Sequence, residues 1–459
     1  MTSDSNIEPG YDSGKNKDLD LVISKGVSDK VSKLIKSVVD SYVSSIKSIL
    51  DTAGIALPHI SKWKKSEIEK INKKIEQLLP EIPTTLDGLN SYALESARDF
   101  AEFTNVIRRL EELRLESSSA VLAKSLFTQL FAEFDSYMGD LLKAIYLKNN
   151  NLLKGISREI SLSEIMDHED LTSVKMTMLD KEIETFRRDS YVEQFSNLEK
   201  KFNLQLRKFP EWGKFVELSQ RRNILMHNGG IVSDQYLLVC DREGYKFESR
   251  PKLGENVVVT YEYLSYSARL LSKVGLMLGY TLWSKIFPSE LESIHSSLND
   301  TIYMCLQQKR WELVSDLFDF ALSDQMVKGI SEINLRIRII NIAIGLSFSE
   351  KKEKSLAVID SFDWSASYRD FRLAISVLKE DFEEAVKLMR SIGRTGELVN
   401  QAAYHTWPLF EKFRERPEFY DVYFDIYKEP FSEKVDTSKG VVEAHAKSND
   451  EIRGGKNEL

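Results

Sequence analysis

The chain has 459 residues, 42% of them hydrophobic and 29% charged, with a formal net charge of −8 and two cysteines. That length allows about three domains, each with its own core. The composition excludes a membrane span, because no apolar run reaches roughly 18 residues, and an acidic total excludes a non-specific coat on nucleic acid.

The start of the chain is polar and acidic where a secretory leader would be basic and then apolar, so a cytoplasmic protein without membrane contact is expected. Cys240 and Cys305 lie far apart with no Cys or His at ligand spacing beside them, which predicts no disulfide framework and no zinc site, and without a Gly-rich phosphate loop no cofactor is expected. Residues 1–18 carry almost nothing apolar and are expected to be disordered. An amphipathic helix then follows from Val27, with Leu34, Ile35, Val38, Val39, Tyr42, Val43 and Ile46 at three-and-four spacing. Pro58 is expected to end it, a second helix to run from Ser61 to Leu79, and a third from about Leu86 to Leu115. These form a helical arm over 19–115. Ser117-Ser118-Ser119 separates the arm from a long helix whose apolar residues, Leu126, Phe127, Leu130, Phe131, Phe134, Met138, Leu141 and Leu142, cover more than one stripe. Shorter segments follow at 162–166, 171–179 and 181–202.

Pro210-Glu211 suits the entry to a helix that runs to Asn228, where Gly229-Gly230 supplies a left-handed stop. Beyond it, Tyr236–Cys240 and Val257–Tyr261 are β-branched or aromatic runs bounded by Gly and Pro, and predict a small two-stranded insertion. A last long helix runs from Tyr263 to Phe287. Residues 289–432 then read as helices of ten to sixteen residues with short joints, including the helix opener Asp381-Phe382-Glu383-Glu384-Ala385. This pattern resembles tetratricopeptide-like helical hairpins. The polar tail 433–459 is expected to be disordered.

The chemistry-bearing string is Arg221-Arg222-Asn223-Ile224-Leu225-Met226-His227-Asn228-Gly229-Gly230. At about 100° per residue, Asn223 and His227 share a helix face, and the long stem of Arg222 can reach toward them. A histidine can move protons near neutral pH and an arginine can grip phosphate, which is the pair that RNA self-cleavage by a 2′-hydroxyl needs. Against this stands the plain reading of a cation suiting a helix C-terminus. Basic groups such as Lys62, Lys64 and Lys65 around Trp63, or Arg187, Arg188, Lys200 and Lys201, read first as solvated helix faces. Asp135, on the long helix, is a weaker acidic candidate near the site.

The Arg-x4-His spacing with Asn after the Arg, together with the 126–146 helix, the stretches Asp167–Leu171 and Asp189–Tyr191, and the Pro210-Glu211-Trp212 entry, resembles the HEPN ribonucleases over residues 116–288. The resemblance implies a mainly α bundle that dimerises so that two signature helices face each other. It implies Arg222 and His227 as catalytic residues with Asn223 in support, and RNA as a substrate cut without metal. An antiviral or toxin effector triggered by a protein or phage-derived partner on the C-terminal repeats is the role it suggests. Some members carry a modifiable Tyr two residues after the His, where this chain has Gly229. A non-catalytic dimeric scaffold or sensor is the competing expectation.

Overall fold

The computed structural model describes residues 15–78, 96–115, 117–157 and 159–432, with side chains of the first helix described from Leu34 onward. The expected disorder at 1–14 and 433–459, and the opening of the third helix at 86–95, lie outside the described residues. Among the described residues the chain is helical and contains no strand. It divides into two compact units, one ending at Ser297 and one beginning at Leu298. None of the described helices is long and apolar enough to cross a membrane.

The first unit contains α1 (Lys15–Leu78), α2 (Ala97–Leu115), α3 (Ser118–Lys148), α4 (Asn150–Lys154), α5 (Leu162–Met166), α6 (Leu171–Arg188), α7 (Tyr191–Phe202), α8 (Trp212–His227), α9 (Asp234–Arg242) and α10 (Tyr261–Ile286). Two expectations change within α1. It runs through Pro58 without a break and begins at Lys15, inside a stretch expected to be disordered. Once nucleated, a helix extends at little cost per residue, and the apolar face of α1 is anchored by burial of Ile35, Val39, Val43 and Ile46 against its neighbours. The break expected between 179 and 181 is likewise absent, since α6 runs unbroken to Arg188, and the break falls instead at 189–190. Ser190 accepts from the amide of Glu193 while Glu193 reaches back to the amide of Ser190, a capping box that starts α7 afresh.

α1, α3 and α10 form the core of this unit. α3 buries Phe127, Leu130, Phe131, Phe134, Met138, Leu141 and Ile145, each worth roughly 1.5–3 kcal/mol against exposure. Gly275 and Gly279 of α10 let two tyrosines approach. A side chain at Gly275 would meet Tyr42 at 2.3 Å, and one at Gly279 would meet the Tyr137 hydroxyl at 2.3 Å. The Tyr42 and Tyr137 rings stack 4.2 Å apart. Their hydroxyls donate to the carbonyls of Leu271 (2.8 Å) and Gly275 (2.7 Å).

The expected two-stranded insertion is not present. Tyr236–Cys240 lies in α9, where Ser233 Oγ accepts from the amide of Tyr236, and Tyr236, Val239 and Cys240 are buried at helical spacing. A five-residue apolar run satisfies either period, and the cap decides for the helix. What backbone pairing exists joins residues 230–232 to 254–257. Ile231 and Asn256 form one isolated antiparallel bridge, flanked by bonds from Val232 N to Glu255 O (2.8 Å) and Val257 N to Gly230 O (2.9 Å).

A further helix, α11 (Leu291–Gln307), spans the division between the units. The second unit continues with α12 (Trp311–Asp316), α13 (Phe318–Ala321), α14 (Asp324–Val327), α15 (Glu332–Phe348), α16 (Lys352–Asp360), α17 (Arg369–Leu378), α18 (Phe382–Ile392), α19 (Gln401–Thr406) and α20 (Pro417–Tyr427). α15 packs on α12 and α16, and α17 on α18. Three of its turns are built alike. Lys309, Glu350 and Glu380 each take a positive φ between 55° and 61°. In each case the next amide returns to a carbonyl five residues earlier: Arg310 to Cys305, Lys351 to Leu346, and Asp381 to Ser376, all at 2.9–3.0 Å. Helix, left-handed residue, helix is thus the repeated unit, which agrees with a helical-hairpin organisation.

Candidate functional site

α8 is held by one apolar face, with Trp212, Phe215, Val216, Leu218, Ile224 and Leu225 buried. The Phe215 ring sits 5.6 Å from Phe134 of α3 and 5.7 Å from Tyr191 at the start of α7. The helix ends where expected. Asn228 caps it, the amides of Asn228 and Gly230 both donate to Ile224 O at 2.9 Å, and Gly229 and Gly230 take φ of +61° and +90°. Those angles suit glycine because a Cβ crowds the backbone in the left-handed region. The helix stops just as one side of its last turn, Met226 and His227, faces away from the buried Ile224 and Leu225. Arg222 and Asn223 are half-buried, and Met226 and His227 are exposed.

The structure joins two of the three expected site residues directly. Arg222 Nη1 donates to Asn223 Oδ1 at 3.2 Å, and Arg222 Nη2 faces Asp135 Oδ2 at 3.9 Å. Asp135 in turn accepts from the Tyr191 hydroxyl at 2.5 Å. Burial pushes the Asp135 carboxyl above the usual carboxylate value, while the Tyr191 bond and the cations Arg222 and Arg187 pull the other way. The same burial, with the Asp135 charge beside it, pushes the Tyr191 phenol up. Arg222 Nε is buried without a hydrogen-bond partner. The guanidinium is therefore braced at its tip while much of its donor capacity stays unused, an uncommon arrangement for a buried polar atom. His227 has no hydrogen bond or ion pair among the described residues and touches neither Arg222 nor Asn223 through one.

Asp135, ranked weakly from sequence, is the group that meets Arg222. Tyr191 and Arg187 complete the surroundings. Arg187 lies along Gly139 of α3, where a Cβ would meet its Cδ at 3.3 Å. Sequence reasoning missed a second constellation on α8. Glu217 is 2% exposed yet ionisable, and it accepts from Arg221 Nε (2.8 Å), the Tyr236 hydroxyl (2.7 Å) and the Tyr263 hydroxyl (2.7 Å). Its signal was a lone carboxylate inside Phe215-Val216-Glu217-Leu218. Several other basic candidates are paired, Arg188 with Glu184 and Arg207 with Glu199. Among the described residues no group of three or more His, Cys, Asp or Glu is placed to hold a metal ion.

No family model matches the chain, and neither a curated protein nor a solved structure matches it.

Proposed function

We propose that the chain is a metal-independent endoribonuclease of the HEPN type that works as a homodimer, with Arg222, Asn223 and His227 at its centre. The observation that carries this reading is the end of α8. There a braced guanidinium with unfilled donors and an exposed, unpartnered imidazole stand five residues apart on one helix, with Asn223 one turn before the imidazole on its face. The resemblance of the surrounding sequence to HEPN ribonucleases supports it.

In the proposed reaction the 2′-oxygen of RNA attacks the adjacent phosphorus, and its proton passes to His227, a contribution of about 10²–10⁴-fold for a placed general base. The P–O5′ bond breaks and the departing oxygen takes up a proton from water. Arg222 offsets the charge that grows on the phosphoryl oxygens, and Asn223 holds Arg222 in place. The products are a 2′,3′-cyclic phosphate and a 5′-hydroxyl. Growth arrest by RNA cleavage, released by a trigger on the hairpin unit, is the cellular role this chemistry suits.

Incubating the purified chain with end-labelled RNA in EDTA tests the proposal. Cyclic-phosphate ends are expected from the wild type and are expected to disappear in Arg222→Ala and His227→Ala. The double variant should be no worse than either single one, because both act on one transition state. Full cleavage by both single variants would sink the reading. Tight dimerisation with no cleavage by triggered wild-type chain would favour the scaffold alternative.

A further inference from the structure

Lys214, Glu217 and Arg221 recur along α8 at three- and four-residue spacing and line a cavity of about 530 Å³, together with Tyr245, Phe247, Val257, Tyr263 and Tyr266. Its walls are braced by the protein's own packing. Gly213 lets the 244–245 backbone lie against α8, since a Cβ there would meet the Tyr245 amide at 2.7 Å. Trp212 Nε1 pins the same turn by donating to Glu243 at 3.1 Å. Tyr245 and Phe247 pack edge to face at 4.7 Å and, with Val257, rest on the buried cluster of Ile224, Val232, Tyr236 and Cys240. The Arg221 guanidinium lies 4.1 Å over the Tyr263 ring, bonds through Nε to Glu217, and donates from Nη1 to Val258 O at 3.2 Å. Its Nη2 makes no hydrogen bond among the described residues. Lys214 stands 5.8 Å from the Tyr266 ring centre, and Glu248 supplies a carboxylate at the rim.

The volume falls within the range of small-ligand pockets, and the lining combines four aromatic rings with two cations and two carboxylates, of which Glu217 is taken up by Arg221 and the two tyrosine hydroxyls. A bare anion would have no use for the rings, and an apolar ligand none for the cations. A flat heterocycle carrying phosphate uses both, by stacking and by ion pairing. A strand whose phosphate meets Arg222 lies against α8, the same helix that lines the cavity through Lys214, Glu217 and Arg221. We propose that this cavity receives an unpaired nucleobase, with its attached phosphate, from the RNA strand being cut. The inference rests on the ribonuclease reading for the strand's path and selects single-stranded over duplex RNA.

The test uses the full chain and a short 2′-O-methyl oligonucleotide, which the proposed reaction cannot cut. Phe247→Leu and Tyr266→Leu remove stacking surface, and Lys214→Glu changes only an exposed rim residue. Weakening of single-strand binding on the order of tenfold is expected in each, with the two ring variants equal to wild type on a strand whose bases have been removed. Free mononucleotides should compete with the strand, and inorganic triphosphate should not. The proposal fails if variants that melt like wild type bind the strand equally well, if wild type is indifferent to base removal, or if triphosphate displaces the strand completely. Mononucleotide binding with which the strand does not compete would overturn the assignment to RNA. Such failures, with EDTA-resistant cleavage intact, discard the cavity alone. Retained cleavage by the Arg222 and His227 variants discards the ribonuclease reading while leaving nucleobase capture measurable.

Discussion

Arg222 is held by two contacts of different kinds, a hydrogen bond to the neutral amide of Asn223 and a long ion pair to Asp135. The pair is about one-quarter exposed on each side, so its loss should cost cleavage no more than about fivefold. Stability should respond in the opposite direction. The fold raises the Asp135 pKa, chiefly by burial, so this group's contribution to stability is fully present below its unfolded pKa and is lost as pH rises through the folded one. Asp135→Asn, neutral at every pH, should match wild type near about pH 3 and become progressively more stable than it towards neutrality. Urea midpoints across that range check the sign, and a variant that loses ground as pH rises would refute it. Cys240 gives a second residue-scale expectation. Burial pushes its thiol up to about 12, so alkylation should follow unfolding and be absent from native protein at neutral pH, as mass spectrometry would read. The Arg-x4-His spacing was legible in the sequence because it sits within one helix. Asp135 and Tyr191 were harder to place, since their meeting with Arg222 depends on how α3, α7 and α8 pack.

Helix identity was legible wherever an apolar stripe was long, as in α1, α3 and α10, and failed where a local cap overruled a short run. α9 is the clearest case: Tyr236–Cys240 has strand composition, but Ser233 caps a helix and Tyr236, Val239 and Cys240 need one core-facing side. The hairpin joints were legible as breaks between helical stretches, but their left-handed geometry was not. Their left-handed positions hold Lys309, Glu350 and Glu380, where a reader of sequence looks for glycine. Pro58 misled in the other direction. It lies exposed inside α1, lacks the amide that would meet the Gly54 carbonyl, and costs up to about 3 kcal/mol in a helix interior. Pro58→Ala should therefore raise helicity and the urea midpoint together. A lower midpoint would show that the proline serves a contact the helix needs.

The molecule divides between Ser297 and Leu298, inside α11, whereas sequence reading placed the joint near residue 289, where proline at 288 interrupts the helices. A chain ending at Lys309 keeps α11 whole. It should remain folded and, on the proposed assembly through α8, dimeric. Sedimentation at micromolar concentration measures this, and a monomeric first unit that still cleaved RNA would refute the paired-helix arrangement. Loss of cooperative melting would show instead that the second unit is needed for the first to fold.

The glycine seats on α10 also carry a consequence in time. Tyr42 is bonded to a carbonyl 229 residues further along the chain. The ribosome therefore releases α1 long before Gly275 exists to receive Tyr42, and although α3 can pack on α1 as soon as it is made, the part of their apolar surface that α10 covers stays open until the unit's last long helix emerges. Domains that close so late are exposed to misassociation while they wait. The closing of the first core thus waits on two glycines near the end of the unit.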